Sequence, residues 1–190
     1  MWETRTMMPA ILDRGTPVTE EEFFALGETS KRIELFDGSL YVTPAPTPQH
    51  QHIASEIKFA LRNAARDAGL HIHEAVNVRL QPGRIPIPDL VITRKINFKE
   101  LVIDAEAVVL ICEIVSPSNA SADKVLKMHY YAAAGIPWYL LVEQDSATLH
   151  LYQLAGNHYV ERSVTRPGEV LHLAAPLTAD LVPDELLPPD

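Results

Sequence analysis

The sequence predicts an α+β domain in which helices flank a mixed central β-sheet. Three observations carry that prediction. Residues 107–115 (AVVLICEIV) are almost continuously apolar and rich in β-branched side chains, the pattern of a central strand buried on both faces. Residues 49–68 place Ile53, Ile57, Ala60, Leu61 and Ala64 at three- and four-residue spacing, an apolar helical stripe. Several other segments alternate with a period of two between turn residues, as half-buried strands do.

The elements follow in chain order. Thr19-Glu20-Glu21-Glu22 has the form of a capping box and starts a short helix to about Leu26. Residues 32–36 and 39–43 read as strands joined at Asp37-Gly38, a tight hairpin turn signal. Pro44, Pro46 and Pro48 make an extended loop, and Gly69 ends the long helix that follows it. Leu70, Ile72, Val76, Val78 and Leu80 predict one strand over 70–80, and Pro82-Gly83 a turn. Residues 87–93 predict the next strand. After the apolar strand and a loop at 116–119, Ser121 is placed to cap a helix running to about Ala134 and ended by Gly135. Residues 138–143 form a further buried strand, and 148–154 and 158–163 a hairpin about Ala155-Gly156-Asn157. The proline-rich, acidic end is expected to be a loosely docked tail.

Length and composition bound the class. A chain of 190 residues predicts a single domain over 1–190 with its core at about 18–180. No apolar run approaches the ~18 residues of a membrane-spanning helix, so no membrane partner is expected. The first five residues lack a basic stretch leading into an apolar core, so no signal peptide is expected. Cys112 is the single cysteine, which excludes an internal disulfide and fits a reducing cytoplasm. Sixteen basic against 25 acidic residues leave a net charge of −9, unlike a protein that binds nucleic acid through bulk charge. A nucleic-acid enzyme remains compatible if basic residues gather locally around an acidic metal centre. Lys58, Arg62 and Arg66 on one helical face, and Arg79, Arg84, Arg94, Lys95 and Lys99 around residues 87–93, are candidates for such a rim or are ordinary solvated charge.

Glu113 is the most informative residue. It lies inside a strand with no expected solvent face, where an unpaired carboxylate costs several kcal/mol. It is therefore expected to be neutralised, paired with a cation or bound to a metal. Asp89 stands at the head of the apolar run Pro88–Ile92, where an aspartate closing a turn is the ordinary explanation. Together, two carboxylates on neighbouring strands can hold Mg²⁺ or Mn²⁺, which prefer hard oxygen ligands. Such a site can activate water and offset charge on a phosphodiester. Val115 fills the position two after Glu113 where a supporting lysine would be simplest. Lys124 and Lys127 on the next helix are the alternatives.

The runs PDLVI (88–92), CEIVSPS (112–118) and DKVLKMHYYAAAGIPWYLLVE (123–143) resemble the Uma-two family of endonuclease-like proteins. So do IELFDGSL (33–40) and PAPTPQHQHI (44–53). That family belongs to the PD-(D/E)XK superfamily, and the similarity spans roughly residues 18–180. It implies the restriction-endonuclease-like fold, with Asp89 and Glu113 as metal ligands. It also implies Lys127 as a catalytic lysine moved from strand to helix, and Glu34 as a further acidic site residue. His50 matches as well, without an assigned role. On the residues alone, Glu34 is equally an exposed strand residue beside Arg32, and Glu56 a solvent-facing acid.

Other chemistries find no support. His50-x-His52 and His71-x-His73 lack companion cysteines or an HExxH pattern, and read as structural or surface histidines. Cys112 should face the core, opposite Glu113. No GxSxG elbow surrounds Ser116 or Ser118, and no glycine-rich phosphate loop is present. The resulting expectation is a Mg²⁺- or Mn²⁺-dependent DNA endonuclease, cytoplasmic, with homodimerisation through exposed edge strands after residue 148. The competing expectation is a catalytically inactive scaffold of the same fold that binds DNA or protein. A hydrolase of smaller phosphoesters is a third.

Overall fold

The computed structural model describes residues 10–12, 16–27, 31–116 and 122–189. In chain order the elements are β1 (Ala10–Leu12), α1 (Glu20–Ala25), β2 (Arg32–Phe36), β3 (Ser39–Thr43) and α2 (Pro48–Asp67). Five short or central strands follow: β4 (His71–Glu74), β5 (Val78–Arg79), β6 (Arg84–Ile85), β7 (Leu90–Thr93) and β8 (Ile103–Asp104). Then come β9 (Val108–Val115), α3 (Ala122–Ala133), β10 (Trp138–Glu143), β11 (Leu149–Ala155) and β12 (His158–Thr165). The chain closes with β13 (Leu171–Leu173), β14 (Ala179–Leu181) and α4 (Pro183–Leu186).

Among the described residues, a six-stranded mixed sheet runs β12-β11-β10-β9-β7-β4. Within this sheet β9 and β10 pair in parallel and the other neighbours antiparallel; α3 supplies the crossover between β9 and β10. A second sheet, β1-β3-β2-β6, stands beside it. β9 is central and buried along nearly its whole length, as its apolar run predicts. Its alternate residues serve two cores. Leu110, Cys112 and Ile114 pack toward α2 with Ile53, Ile57 and Leu61. Ile111 packs on the other face with Tyr131 of α3 and Tyr139 of β10. The period-two alternation of a strand thus sends Cys112 into the α2 core and Glu113 toward α3.

Local signals act where the sequence places them. Thr19 and Glu22 form the complete capping box of α1. Asp37 and Gly38 both adopt positive φ (50° and 84°) to turn β2 into β3. A Cβ on Gly38 would lie 2.6 Å from the Pro17 side chain, so that turn requires glycine on two counts. Thr47 caps α2, which begins at Pro48, one residue before the helix expected over 49–68. The predicted Ser121 cap lies outside the described residues.

Three expectations are corrected. The strand over 70–80 is two strands in different sheets, because Ala75 turns at φ 50° between them. The strand over 87–93 begins only at Leu90; Ile87 to Asp89 approach it outside the ladder. The chain end is not loosely docked: Leu171, Leu173, Leu177, Leu181 and Leu186 are buried in the same core as α2. Leucine spacing rather than charge decides that segment.

Candidate active site

The antiparallel register that pairs Leu90 with Cys112 sets Asp89 beside Glu113. Both side chains are buried. Asp89 is held by three donors from three elements. Its Oδ1 receives Arg32 Nη1 of β2 at 2.9 Å and faces His50 Nε2 of α2 at 3.3 Å. Its Oδ2 accepts the Ile114 backbone N–H at 2.9 Å. That amide is available because the β7–β9 ladder stops at Leu90.

Glu113 accepts a hydrogen bond on Oε1 from the Tyr131 hydroxyl at 2.5 Å. The Lys127 ammonium stands 3.7 Å from the same oxygen and 3.0 Å from Glu34 Oε1. Glu34 Oε1 also accepts the Ile87 N–H at 2.8 Å. Lys127 and Tyr131 lie four residues apart, on one face of α3, and that face covers the Glu113 side of β9. Four acidic or basic groups singled out in the sequence — Glu34, Asp89, Glu113 and Lys127 — therefore meet in one buried cluster. The lysine does reach back from the helix, as Val115 requires. Nothing is described for the side chain of Lys124. His50 joins the cluster through Asp89.

Electrostatics separates the two central carboxylates. Burial pushes the Asp89 carboxyl up, but the His50 hydrogen bond, the Arg32 guanidinium and the Ile114 N–H outweigh it and hold it well below the usual range. Glu113 goes the other way. Burial dominates, the Asp89 charge adds to it, and Lys127, Arg32 and Tyr131 only partly compensate, so its pKa is pushed up to about 7. Burial also raises the Tyr131 hydroxyl far above its ordinary value, with the Glu113 charge second, so the phenol remains a donor. Burial opposes the charge on Arg32, but Asp89, Glu113 and Glu34 together raise its pKa.

Two contributors are missed by sequence reasoning. Arg32 is the central cation of the cluster, and Tyr131 the donor to Glu113. Each had a signal: Arg32 shares a strand face with Glu34 two residues on, and Tyr131 shares a helix face with Lys127. Cys112 is buried, and its thiol is pushed well up, first by that burial. His71 and His73 pack against Phe98, and His73 contacts Thr93. Glu56 lines a groove with Asp180 and Glu185, away from the cluster. Much of the expected basic rim is paired: Lys58 with Glu74, Arg79 with Glu20 and Asp104, Arg84 with Asp37.

The donor chemistry suits a hard divalent ion. Asp89 and Glu113 offer adjacent carboxylates, and Mg²⁺ commonly takes one or two carboxylates, waters and substrate phosphate oxygens. Among the described residues, no group of three or more His, Cys, Asp or Glu side chains is arranged as a closed metal cage. Glu34 is turned to Lys127 and Ile87, and His50 to Asp89. The fit is thus to an open two-carboxylate site rather than to a structural one such as zinc occupies.

A mixed sheet with helices on its faces and an acid–lysine cluster at its central strands defines a protein of the restriction-endonuclease-like fold. A solved structure shares that fold: a nuclease described as putative, of the DUF820 family from Anabaena variabilis ATCC 29413. It matches over 90% of this chain and 97% of its own, at TM-score 0.72 and 19% identity. The model of the Uma2 family, described as "Putative restriction endonuclease", matches residues 20–184, and the chain belongs to that family. No curated protein matches the chain significantly. No helix among the described residues is long and apolar enough to cross a membrane.

Proposed function

We propose that the protein is a divalent-metal-dependent endonuclease that hydrolyses phosphodiester bonds in DNA, with Mg²⁺ or Mn²⁺ held by Asp89 and Glu113. The observation that carries this reading is the convergence of three buried carboxylates and a buried lysine in a chain of the Uma2 family. When bound, the ion supplies a more acidic water and a counter-charge for the phosphoryl oxygens. The chain's residues do the rest. The Ile114 N–H and His50 fix the Asp89 carboxylate in one orientation, and Tyr131 does the same for Glu113. Glu34 and the Ile87 N–H anchor the Lys127 ammonium, leaving a fixed positive charge beside the scissile position. A charge pre-set there stabilises the phosphorane-like transition state without reorganisation. The reaction adds water to phosphorus and breaks the bond to one ester oxygen, which leaves with a proton. Pairing of two chains would serve cleavage of both strands of a duplex.

The rival reading, an inert scaffold, draws on the pairing of Asp89 with Arg32 and of Glu34 with Lys127. A supercoiled-plasmid nicking assay separates the two. Nicking that needs Mg²⁺ or Mn²⁺, stops with chelator, and is lost in both Asp89→Ala and Glu113→Ala supports the nuclease. Nicking that persists in either folded variant refutes the assignment.

A further inference from the structure

We infer that Arg32 is the exchangeable resident cation of the acidic cluster: it neutralises Asp89 in the metal-free protein and leaves that carboxylate when a divalent ion binds. The inference rests on the reading of Asp89 and Glu113 as metal ligands.

Three observations point to it. The first is position. The guanidinium bonds Asp89 at 2.9 Å, one of the two carboxylates that would hold the ion, and the charges of Glu113 and Glu34 act on it as well. The second is capacity. Asp89 Oδ1 already takes Arg32 and His50, and Oδ2 takes the Ile114 amide. A carboxylate offers about four lone-pair directions, two on each oxygen, so Oδ1 is already full and a divalent ion that takes Oδ1, at about 2.1 Å, must displace one of its donors. The Ile114 amide belongs to the backbone and cannot leave without disturbing β9. Arg32 sits on a flexible side chain and carries a charge that repels the ion. It is therefore the group to yield. The third is incomplete satisfaction. Arg32 Nε is buried and finds no hydrogen-bond partner among the described residues. An arginine built as a permanent strut would have that donor paired, since a buried orphan donor is costly. The inward pose is held by charge, and a stronger charge at the same place removes its reason.

Charge counting agrees. Glu34, Asp89 and Glu113 are opposed by Lys127 and Arg32 in the metal-free cluster. Adding a divalent ion while Arg32 stays would leave the buried site positive. With Arg32 withdrawn, Lys127 and the ion balance the three carboxylates.

Isothermal titration with Mn²⁺ alone, on wild type, Arg32→Met and Glu113→Gln, tests the exchange. Wild type should bind, Glu113→Gln should bind far more weakly, and Arg32→Met should bind about tenfold or more tighter. Equal or weaker binding by folded Arg32→Met, with binding still dependent on Glu113, overturns the exchange and leaves the metal site standing. Absence of binding in wild type and Arg32→Met alike overturns both readings. If Arg32→Met does not fold, the wild-type protein answers through its arginine Nε–Hε resonances during a Mg²⁺ titration. The Arg32 signal should move with the same midpoint as metal binding. A signal that stays fixed while Mg²⁺ binds overturns the exchange.

Discussion

Replacing Glu113 with glutamine should stabilise the metal-free protein at alkaline pH. The carboxyl is displaced from its ordinary 4.5 up to about 7, chiefly by burial and then by the Asp89 charge. A raised carboxylate pKa means that the folded state binds the proton more tightly than the unfolded state. Below pH 4.5 both states are protonated and the residue costs nothing extra. Between pH 4.5 and about 7 the unfolded state ionises first, so stability falls as pH rises. Each unit is worth about 1.4 kcal/mol, which puts the full cost at about 3 kcal/mol above pH 7. Glutamine removes that charge and keeps the Tyr131 donation through its amide oxygen, but turns an N–H group toward a cluster that already holds Arg32. A net gain of about 1–3 kcal/mol remains. For a chain of this size that is a rise in Tm of about 3–10 °C. The assay is thermal unfolding with chelator at pH 5 and pH 8. The variant should be more stable at pH 8, with the gain shrinking at pH 5. A variant that is less stable at pH 8, or that shifts equally at both pH values, would refute the claim that Glu113 is kept against its own folding energy.

Other outcomes follow from the same contacts. Tyr131→Phe removes the donor to Glu113 and should cost about 1–3 kcal/mol at pH 8 by urea unfolding, and less at pH 5. It should also push the Glu113 pKa higher. Asp89→Asn should act with the opposite sign to Glu113→Gln. A depressed pKa contributes stability above the unfolded value that is lost as pH falls through the folded one, so the variant should lose about 1–3 kcal/mol at pH 7 and show a flatter acid limb. Lys127→Met should lower the nicking rate about 10²–10³-fold while Mn²⁺ affinity by titration holds or improves. Leu181→Ala, fully buried where the chain end meets α2, should cost about 2–5 kcal/mol in urea; a loss under 1 kcal/mol would mean the end is only loosely attached.

Much of this molecule is legible in its sequence because local chemistry and global packing agree. The β9 run, the Asp37-Gly38 turn and the α1 capping box each allow one structure, and each takes it. The misreadings arise where a single pattern serves two partners. Alternation across 70–80 runs on through Ala75, so period alone cannot show that His71–Glu74 and Val78–Arg79 join different sheets. In the chain end, leucines spaced among prolines and acids dock on α2, and charge was a poor guide to them. The acidic site is legible as a buried glutamate that needs an explanation, with its partners supplied by family resemblance. Arg32 and Tyr131 escape that route because both look ordinary in sequence. An arginine on a strand becomes notable only when the hairpin carries it over Asp89, and a helical tyrosine only when α3 crosses β9.

The most direct test of the metal centre is anomalous scattering from crystals soaked in Mn²⁺. The account predicts one peak bridging the Asp89 and Glu113 carboxylates, absent in Glu113→Gln. A peak elsewhere with this pair still closed on Arg32 and Tyr131, or no peak at Mn²⁺ concentrations that support nicking, would contradict it.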